Sequence, residues 1–392
     1  MIKFKKRLWL LVSLVAMLIS ASAMSAVAAE KYYWTADKGY NQSMPFASLY
    51  LKKENTAAYA VAKVTKTADI VNLDYVTKKV GISKEDATKR INRMFDEKLI
   101  RLTADSPVDA RGFGLYYCAV KLKKNATPKQ KAELSNVMQN EDHVCTGYEV
   151  AGDFDFVPAF HVTTLEMTEK YVRSHFDKTG LVESYQLLPV QRLLRQERIN
   201  HWGAPVSMWN KVVYAPQEME KLAKIQNKLD LTDLKIIQAM MENRPAKDYY
   251  NWDYIAKKTG LKKDALIKGL ETAWAQRMFV LPVYMNWMKL GYTNHLFLVK
   301  MDRKVNTAEK IATGDKFAQN NSFNMVMQFN DCEFTYLLGA WTKITDIDAL
   351  RKEIKGVKGV EYIKEVDMTR QWRQWTCRLD DNNWDYCKFC ND

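Results

Sequence analysis

The chain has 392 residues, of which 47% are hydrophobic, and it carries a formal net charge of +13. This length and composition predict a globular protein of two or more domains and exclude a largely disordered chain, because low-complexity tracts are absent and glycine and proline are sparse. The positive charge would favour an anionic partner, but the lysines are scattered, so a solvated basic surface is the simpler interpretation.

The first 28 residues have the pattern of an export signal. Four basic residues precede an uncharged run over 8–29, and the small residues at 26–28 match the A-x-A cleavage pattern. The run is also just long enough to span a bilayer, so an uncleaved membrane anchor is the alternative. We predict a cleaved signal peptide over 1–28, a periplasmic or extracellular location, and an N-terminal extension over 29–54.

Most of the remaining chain occurs twice, at an offset of 178 or 179 residues. The repeated segments are 72–82 with 251–261, 152–156 with 330–334, and Arg192 and Arg195 with Arg370 and Arg373. Three matches in register predict one two-part module that was duplicated and fused. Each copy is long enough to bury a core of its own.

The first part of the module reads as a group of short helices. In the second copy, Thr232 and Asp233 can cap a helix, and a short helix over 250–258 ends at Gly260, which suits a left-handed turn. A third helix over 262–277 leads into a strand-like segment. Three short helices followed by a hairpin predict a winged helix-turn-helix, and the first copy has the same pattern.

The second part of the module predicts the element order β-α-β-β-α-β. In the second copy the predicted elements are 294–301, 307–320, 323–329, 333–342, 344–355 and 360–368. In the first copy the predicted strands lie near 112–122, 144–150, 154–163 and 181–188. This order is that of a ferredoxin-like domain. The predicted fold class is therefore α+β, with two repeats of a winged helix-turn-helix followed by a ferredoxin-like domain.

These residues resemble a known family. Two segments are similar to those of the Lrp/AsnC (feast/famine) transcriptional regulators: Ile255-Ala-Lys-Lys-Thr-Gly-Leu261 and the turn Gly152-Asp-Phe-Asp-Phe156. The resemblance extends over about 55–376, with one family module in each copy of the repeat. The family implies a winged helix that reads DNA and a ferredoxin-like domain that dimerises and binds small effectors such as amino acids. The two copies are then expected to form an intrachain pseudo-dimer, with an asymmetric site at the seam between the halves.

The resemblance divides the chain as follows: winged helix-turn-helix 55–110, ferredoxin-like domain 111–200, linker 201–228, second winged helix-turn-helix 229–288, second ferredoxin-like domain 289–376 and Cys-rich tail 377–392.

Lys89, Arg90 and Arg93 are the candidate DNA contacts of the first recognition helix. In the second copy, Gly269 and Thr272 stand at the positions of the two arginines. Since the predicted export also removes the chain from chromosomal DNA, we expect both helices to be structural.

The general layout also resembles the siroheme decarboxylases, which are built from paired modules of the same kind. The similar segments are Arg111-Gly-Phe-Gly114, His143-Val-Cys145 and Phe160-His161. This resemblance implies an anionic tetrapyrrole, haem or siroheme, at the interface of the ferredoxin-like domains. It also implies that His143 and His161 are the catalytic candidates if the chain is an enzyme, because an imidazole could ligate iron or act as an acid.

Several charged residues recur at equivalent places and are candidate ligand contacts. The recurring cations, which could pair with carboxylates or close salt bridges, are Arg192, Arg195, Arg370 and Arg373. The recurring acids, which could form turns or hold the ammonium group of an effector, are Asp153, Asp155, Asp331 and Glu333.

The cysteines predict disulfides in an exported chain. Six are present, and Cys377, Cys387 and Cys390 lie in the last sixteen residues, so at least one bridge is expected to staple the tail. Cys387 and Cys390 form a C-x-x-C without a second such pair, and no metal site is predicted.

Three functions follow from these patterns. The first is an exported, non-enzymatic protein that binds a small molecule or a partner through its ferredoxin-like domains. The second is a tetrapyrrole-binding or tetrapyrrole-modifying protein, which as an enzyme would be a lyase similar to the siroheme decarboxylases. The third is a DNA-binding regulator, which requires the predicted export to be wrong. A homo-oligomer is compatible with each function, and membrane contact is expected only through an uncleaved N-terminal segment.

Overall fold

A computed structural model of the chain describes most of the repeated region. The described residues are 68–102, 114–140, 144–162, 165–196, 220, 223–224, 228–242, 245–275, 283–330 and 332–371. The predicted signal peptide, the extension and the Cys-rich tail lie outside them, as do His143, Asp331, Arg373, Cys377, Cys387 and Cys390. In the described part of the chain, no helix has both the length and the hydropathy needed to cross a membrane.

The chain has a mixed α/β fold. The first half contains α1 (Leu73–Val80), α2 (Lys84–Asp96), β1 (Ile100–Leu102), β2 (Gly114–Leu122), α3 (Pro128–Asn140), β3 (Val144–Gly152), β4 (Phe156–Val162), α4 (Leu165–His175) and β5 (Val182–Gln196). The second half contains α5 (Leu231–Met241), α6 (Trp252–Thr259), α7 (Lys263–Ala275), β6 (Val283–Met285), β7 (Asn294–Met301), α8 (Thr307–Gln319), β8 (Met325–Phe329), β9 (Tyr336–Trp341), α9 (Ile347–Gly356) and β10 (Val360–Gln371). Each half thus has helices first and then the order β-α-β-β-α-β.

The clearest sequence repeat is a helix with its two caps. Asn72 and Asn251 are the N-caps of α1 and α6, and each side chain accepts a hydrogen bond from the backbone N–H three residues later. Gly81 and Gly260 end the same helices with φ of 78° and 71°. Glycine adopts this left-handed conformation without the steric penalty of a side chain, so the prediction for Gly260 is confirmed.

The start of α5 differs from the prediction that Thr232 and Asp233 cap it. The N-cap is Asp230, whose carboxylate accepts from the backbone N–H of Asp233, while the carboxylate of Asp233 accepts from the backbone N–H of Asp230. This reciprocal capping box satisfies two N–H groups at the helix end, so the helix begins at Leu231.

Eight strands form a closed barrel in the order β10-β3-β4-β2-β5-β8-β9-β7. Each half supplies four neighbouring strands, and the halves meet at two antiparallel seams, the β5–β8 seam and the β3–β10 seam. β5 extends to Gln196, beyond the predicted end near residue 188, because its second half pairs with β8 of the other half. A closed barrel leaves no unpaired strand edge between the halves.

Helices of the second half cover the outer face of its strands. Phe297 and Val299 of β7 lie in one apolar cluster with Phe317 of α8 and Ile354 of α9. Leu298, which alternates with them, lies in the other cluster, on the opposite face of the strand. Burying a side chain of this size contributes about 1.5–3 kcal/mol. The cluster therefore fixes α8 and α9 against the barrel.

The helical regions of the two halves also pack together. The hairpin predicted after α7 begins outside the described residues, and β6 pairs antiparallel with β1 of the first half. A further antiparallel bridge joins Val71 to Tyr250. These cross-half pairings hold α1 and α2 beside α5 and α6.

Candidate functional site

A groove of about 950 Å³ lies beside the β5–β8 seam. Its walls come from β5, the ends of β7 and β8, the first turn of α8 and the turn before β9. Its volume is in the range of small-molecule and cofactor sites, although it is open to solvent. The groove is thus formed by residues of both halves of the chain.

Three cationic side chains line the groove. Lys300 is the second-last residue of β7, and its Nζ is 3.7 Å from Glu361 and 5.1 Å from the centre of the Tyr362 ring. Arg303 follows β7, and Lys310 lies in the first turn of α8. Neither Arg303 nor Lys310 has an ion-pair partner among the described residues. These two charges are therefore available to an anion.

The acidic residue of the groove, Glu333, is held by neighbouring side chains. Its carboxylate accepts hydrogen bonds from the Tyr362 hydroxyl and from the Gln186 amide. Burial, followed by this hydrogen bond to Glu333, raises the pKa of Tyr362, so the hydroxyl remains a donor at neutral pH. The contacts tie the turn before β9 to β10 and β5. The predicted role of Glu333 in holding an ammonium group stays a prediction.

Arg192 lies at the edge of the groove. Its Nη1 donates to Oε1 of Gln328, which lines the groove, at 3.1 Å. Its Nη2 lies 2.8 Å from Oδ1 of Asp315 in α8. Arg192 therefore contacts the groove through Gln328. An ion pair with Asp315, across the seam, holds its guanidinium.

Arg195 is almost fully buried, with 1% exposure. Its Nη1 donates to the carbonyls of Ala318 and Asn320 at 2.9 and 3.0 Å, and its Nη2 donates to Asn321 Oδ1 at 3.1 Å. A cation at the C-terminus of a helix satisfies carbonyls that lack intrahelical partners. Arg195 thus caps α8 from the other half. Its predicted contact with a ligand stays a prediction.

At the corresponding corner of the β3–β10 seam, the two halves are hydrogen-bonded to each other directly. The backbone N–H of Asp153 donates to the carbonyl of Glu365 at 3.1 Å, and the carboxylate of Asp153 accepts from the backbone N–H of Glu365 at 2.8 Å. Arg370 donates to Glu149 across the same seam at 3.1 Å. These two predicted site residues therefore join the halves. Ligand binding by them remains a prediction.

Asp155 stabilises the corner between β3 and β4. Its carboxylate accepts from the backbone N–H of Leu122 at 2.9 Å and lies 3.3 Å from Nζ of Lys131 and 3.5 Å from Nζ of Lys121. This geometry is that of a turn-forming acid, which is one of the two roles that the sequence left open.

A buried histidine that sequence reasoning missed lies near the β3–β10 seam. His295 of β7 is 7% exposed, its Nδ1 is 2.7 Å from Asp367 Oδ1, and its Nε2 is 2.9 Å from Glu365 Oε2. Glu365 also accepts from Nε of Arg351 at 2.8 and 2.9 Å. Burial works against ionisation of Glu365, but the hydrogen bonds from Arg351 and His295 outweigh it and lower its pKa.

The signal for this cluster was a single histidine within an apolar strand. The two acids that bond to His295 lie 70 and 72 residues later in the chain. The pairing of β7 with β10 brings them together, and no local motif marks that pairing. The predicted His161 lies in β4 with its backbone opposite Leu115 of β2, and its catalytic role stays a prediction.

Two of the three candidate DNA contacts form ion pairs within the chain. Nη1 of Arg90 lies 2.7 Å from Asp230, and Nη2 of Arg93 lies 2.5 Å from Asp233, whose side chain is 2% exposed. Burial opposes ionisation of Asp230, but the hydrogen bond from Arg90 outweighs it and lowers its pKa. Lys89 is exposed. The arginines of α2 thus face the second half of the chain.

Two cysteines with described side chains, Cys118 and Cys332, lie in the barrel region of the chain. Cys118 is buried in β2, and burial raises the pKa of its thiol. Cys332 lies in the groove wall, and its Sγ donates to the carbonyl of Phe334 at 3.2 Å. No disulfide joins cysteines within the described residues. The pairing predicted for the tail lies outside them.

Comparison with known proteins finds similarity only among solved structures. No protein-family model matches the chain, and no curated protein sequence matches it. The siroheme decarboxylase NirDL in co-complex with an iron-uroporphyrin III analogue is similar at 13% identity and a TM-score of 0.46, over 86% of this chain and 96% of that chain. A second structure of the siroheme decarboxylase NirDL is similar at 15% identity and a TM-score of 0.45, over 80% and 91%.

Proposed function

We propose that this protein binds a small ligand with several carboxylates in the groove beside the β5–β8 seam, and that the ligand is a tetrapyrrole of the haem or siroheme class. The observation that supports this proposal is the group of three cations, Lys300, Arg303 and Lys310, around a groove of about 950 Å³. The two without a described ion-pair partner are Arg303 and Lys310. Arginine and lysine form charge-assisted hydrogen bonds with carboxylates, and arginine can do so through two parallel bonds.

The number of cations favours a ligand with several acids over an amino-acid effector. A solvent-exposed ion pair contributes only about 0.2–1 kcal/mol, so a single carboxylate would gain less than about tenfold in affinity. Several carboxylates on one ligand can engage Lys300, Arg303 and Lys310 together. An amino acid would also need an acid for its ammonium group, and the carboxylate of Glu333 already accepts from Tyr362 and Gln186.

The residues of the groove fit the acidic side chains of a tetrapyrrole. The three cations would hold these acids, while Phe329, Phe334 and Met301 supply only small apolar contacts because they are largely buried. None of the described residues that line the groove is a histidine. The proposal therefore concerns recognition of the acids. A bound metal tetrapyrrole would supply redox or ligand-exchange chemistry at its metal.

The architecture and location belong to the same proposal. We propose two copies of a winged helix-turn-helix and a ferredoxin-like domain, joined as an intrachain pseudo-dimer in an exported protein. The repeat offset of 178–179 residues and the equal element order of the halves support the duplication. The ion pairs of Arg90 and Arg93 with Asp230 and Asp233 support winged helices that no longer read DNA.

A titration with porphyrins of different acidity tests the function. Uroporphyrin, coproporphyrin and haem carry successively fewer carboxylates, and their binding to the purified full chain can be followed by absorbance and by tryptophan quenching. We expect affinity to fall in that order and to weaken as salt is raised, because the contacts are ionic and exposed. Glycine and glutamate are expected to bind more weakly than any porphyrin. Equal affinity for all three porphyrins, or tighter binding of an amino acid, would contradict the proposal.

A further inference from the structure

Gln328 is a buried side chain with one face on the groove. It lies in β8, directly opposite Arg192 across the β5–β8 seam, and is 3% exposed. A glutamine amide has one oxygen that accepts and one nitrogen that donates two hydrogen bonds. The direction in which the amide is turned therefore decides whether the groove offers a donor or an acceptor at this point.

Arg192 fixes that direction. A guanidinium can only donate, so the atom of Gln328 that lies 3.1 Å from Nη1 of Arg192 must be the oxygen. The amide nitrogen then points away from Arg192, and no described residue accepts from it. Asp315 holds the other Nη of Arg192 at 2.8 Å, so the guanidinium cannot easily turn away.

Close packing of α8 keeps Asp315 in place. A Cβ on Gly314 would lie 2.9 Å from Leu194 Cδ1 and 3.2 Å from Tyr336 Cε1, so the helix approaches the seam closely at this residue. The hydroxyl of Tyr336 donates to the carbonyl of Lys310 one turn earlier. The same helix thus carries a groove cation and the acid that positions Arg192.

We infer that Gln328 is a specificity-determining residue of the groove, that its amide nitrogen donates to a carboxylate of the ligand, and that Arg192 is the positioning residue that keeps the amide in this orientation. The inference rests on the proposed function of the groove. Together with three cations, a fixed N–H donor selects ligands that present anionic acceptor oxygens. It also disfavours ligands that present an ammonium group at this position, since a donor left facing another donor is unpaired.

The first test replaces the donor with an acceptor of equal size. In Gln328→Glu the new carboxylate can pair with Arg192, so the fold is expected to be retained, but the groove loses its donor and gains a negative charge. We expect the affinity for uroporphyrin to fall about tenfold or more, with an unchanged melting temperature. The control is Glu183→Gln, because Glu183 is an exposed residue of β5 that does not line the groove. This variant should bind uroporphyrin as tightly as the wild type does.

The second test separates positioning from bulk charge. Arg192→Met should weaken uroporphyrin binding by about threefold in the wild type and by no measurable factor in a Gln328→Ala background, because Arg192 acts through the amide. Arg192→Lys, which still donates to the amide oxygen, should restore most of the affinity. Equal losses in both backgrounds would show that Arg192 acts directly on the ligand and would overturn its positioning role.

The outcomes separate this inference from the proposed function. Suppose that the wild type binds uroporphyrin, that Arg303→Gln weakens this binding and that Gln328→Glu does not. The groove is then the binding site, and the role inferred for Gln328 is wrong. If the wild type binds neither uroporphyrin nor coproporphyrin, the proposed function is wrong and the inference is overturned with it.

Discussion

The two seams of the barrel use equivalent residues in different ways. Lys131 and Lys310 are each the fourth residue of the helix that follows the first barrel strand of their half. At the β3–β10 seam, Lys131 lies 3.3 Å from Asp155. At the β5–β8 seam the repeat places Glu333 where the first half has Asp155, and the Glu333 carboxylate contacts Tyr362 and Gln186 instead. Lys310 is therefore left facing the groove.

A second pair of lysines follows the same pattern. Lys121 and Lys300 are each one residue from the end of their strand, and Lys121 lies 3.5 Å from Asp155. Asp155 thus neutralises cations of the first half, while the longer side chain of Glu333 reaches the neighbouring strands. Under the proposed function, the β3–β10 seam, which we call the closed seam, joins the halves, and the β5–β8 seam, which we call the open seam, leaves cations for a ligand.

The largest effect is expected at the closed seam. Gly152 has a φ of +130°, and a Cβ on it would lie 2.5 Å from the carbonyl oxygen of Glu365. Gly152→Ala should lower the free energy of unfolding by about 2–4 kcal/mol, because it adds a backbone clash to a strained conformation. Urea denaturation measures this change.

Gly180 supplies the matched control for that substitution. It also has a positive φ, +64°, but no atom lies within 4 Å of the position of a Cβ. Gly180→Ala should therefore cost only about 1 kcal/mol, from its backbone conformation alone. Equal costs at the two glycines would show that close approach does not hold the β3–β10 seam.

The next effect concerns the open seam. The double change Arg303→Gln and Lys310→Gln should weaken uroporphyrin binding about fivefold to thirtyfold, or about 1–2 kcal/mol, because two cations are lost. Fluorescence titration at low salt measures the affinity. The variant should melt near the wild-type temperature, since neither side chain has an ion-pair partner among the described residues.

Two sets of controls test whether position or total charge is responsible. Lys131→Gln removes the equivalent lysine at the closed seam, and Lys304→Gln with Lys316→Gln removes two exposed charges beside the groove cations. The Lys131 variant should lose a little stability and no affinity, and the Lys304 and Lys316 variant should lose neither. If these variants bind as weakly as the groove variant, net charge rather than the groove attracts the ligand.

The sequence predicted the parts of the fold that depend on neighbouring residues. The helix predicted over 250–258 is observed over Trp252–Thr259 and ends at Gly260 as predicted, and the bounds 294–301 predicted for β7 agree with those observed. The order of elements followed from such local signals and from their repetition. The site residues were harder to place, since Arg192 contacts Gln328 and Asp315 more than 120 residues away.

Pairing between the halves was the part that local patterns could not predict. The extension of β5 to Gln196 depends on β8, and the bonds of His295 depend on β10. Gln328 gave no signal as a single glutamine in an apolar segment. Arg303 and Lys310 resemble other surface cations in the sequence, and Lys310 differs from Lys131 because the Glu333 carboxylate contacts Tyr362 and Gln186 instead.

The smallest effect is a pH dependence of stability at Glu365, a residue that borders the closed seam. Glu365 has a lowered pKa because Arg351 and His295 donate to its carboxylate, and its backbone pairs with Asp153 across the seam. In the unfolded chain a glutamate has a pKa of about 4.3. The folded state therefore binds fewer protons in this range, so the stabilisation is fully present above pH 4.3 and is lost as the pH falls through the folded pKa.

Glu365→Gln should remove this acid sensitivity. Between pH 6 and pH 3, the free energy of unfolding of the wild type should fall by about 1 kcal/mol more than that of the variant, since hydrogen bonds to an ionised carboxylate are lost. Glu361→Gln on the same strand is the control, because its exposed carboxylate lies 3.7 Å from Lys300 and makes no contact across the closed seam. If both variants keep the wild-type slope, the charge of Glu365 does not stabilise the fold. The closed seam would then depend on the backbone contacts of Gly152 and Asp153, while the open seam would keep its dependence on charge.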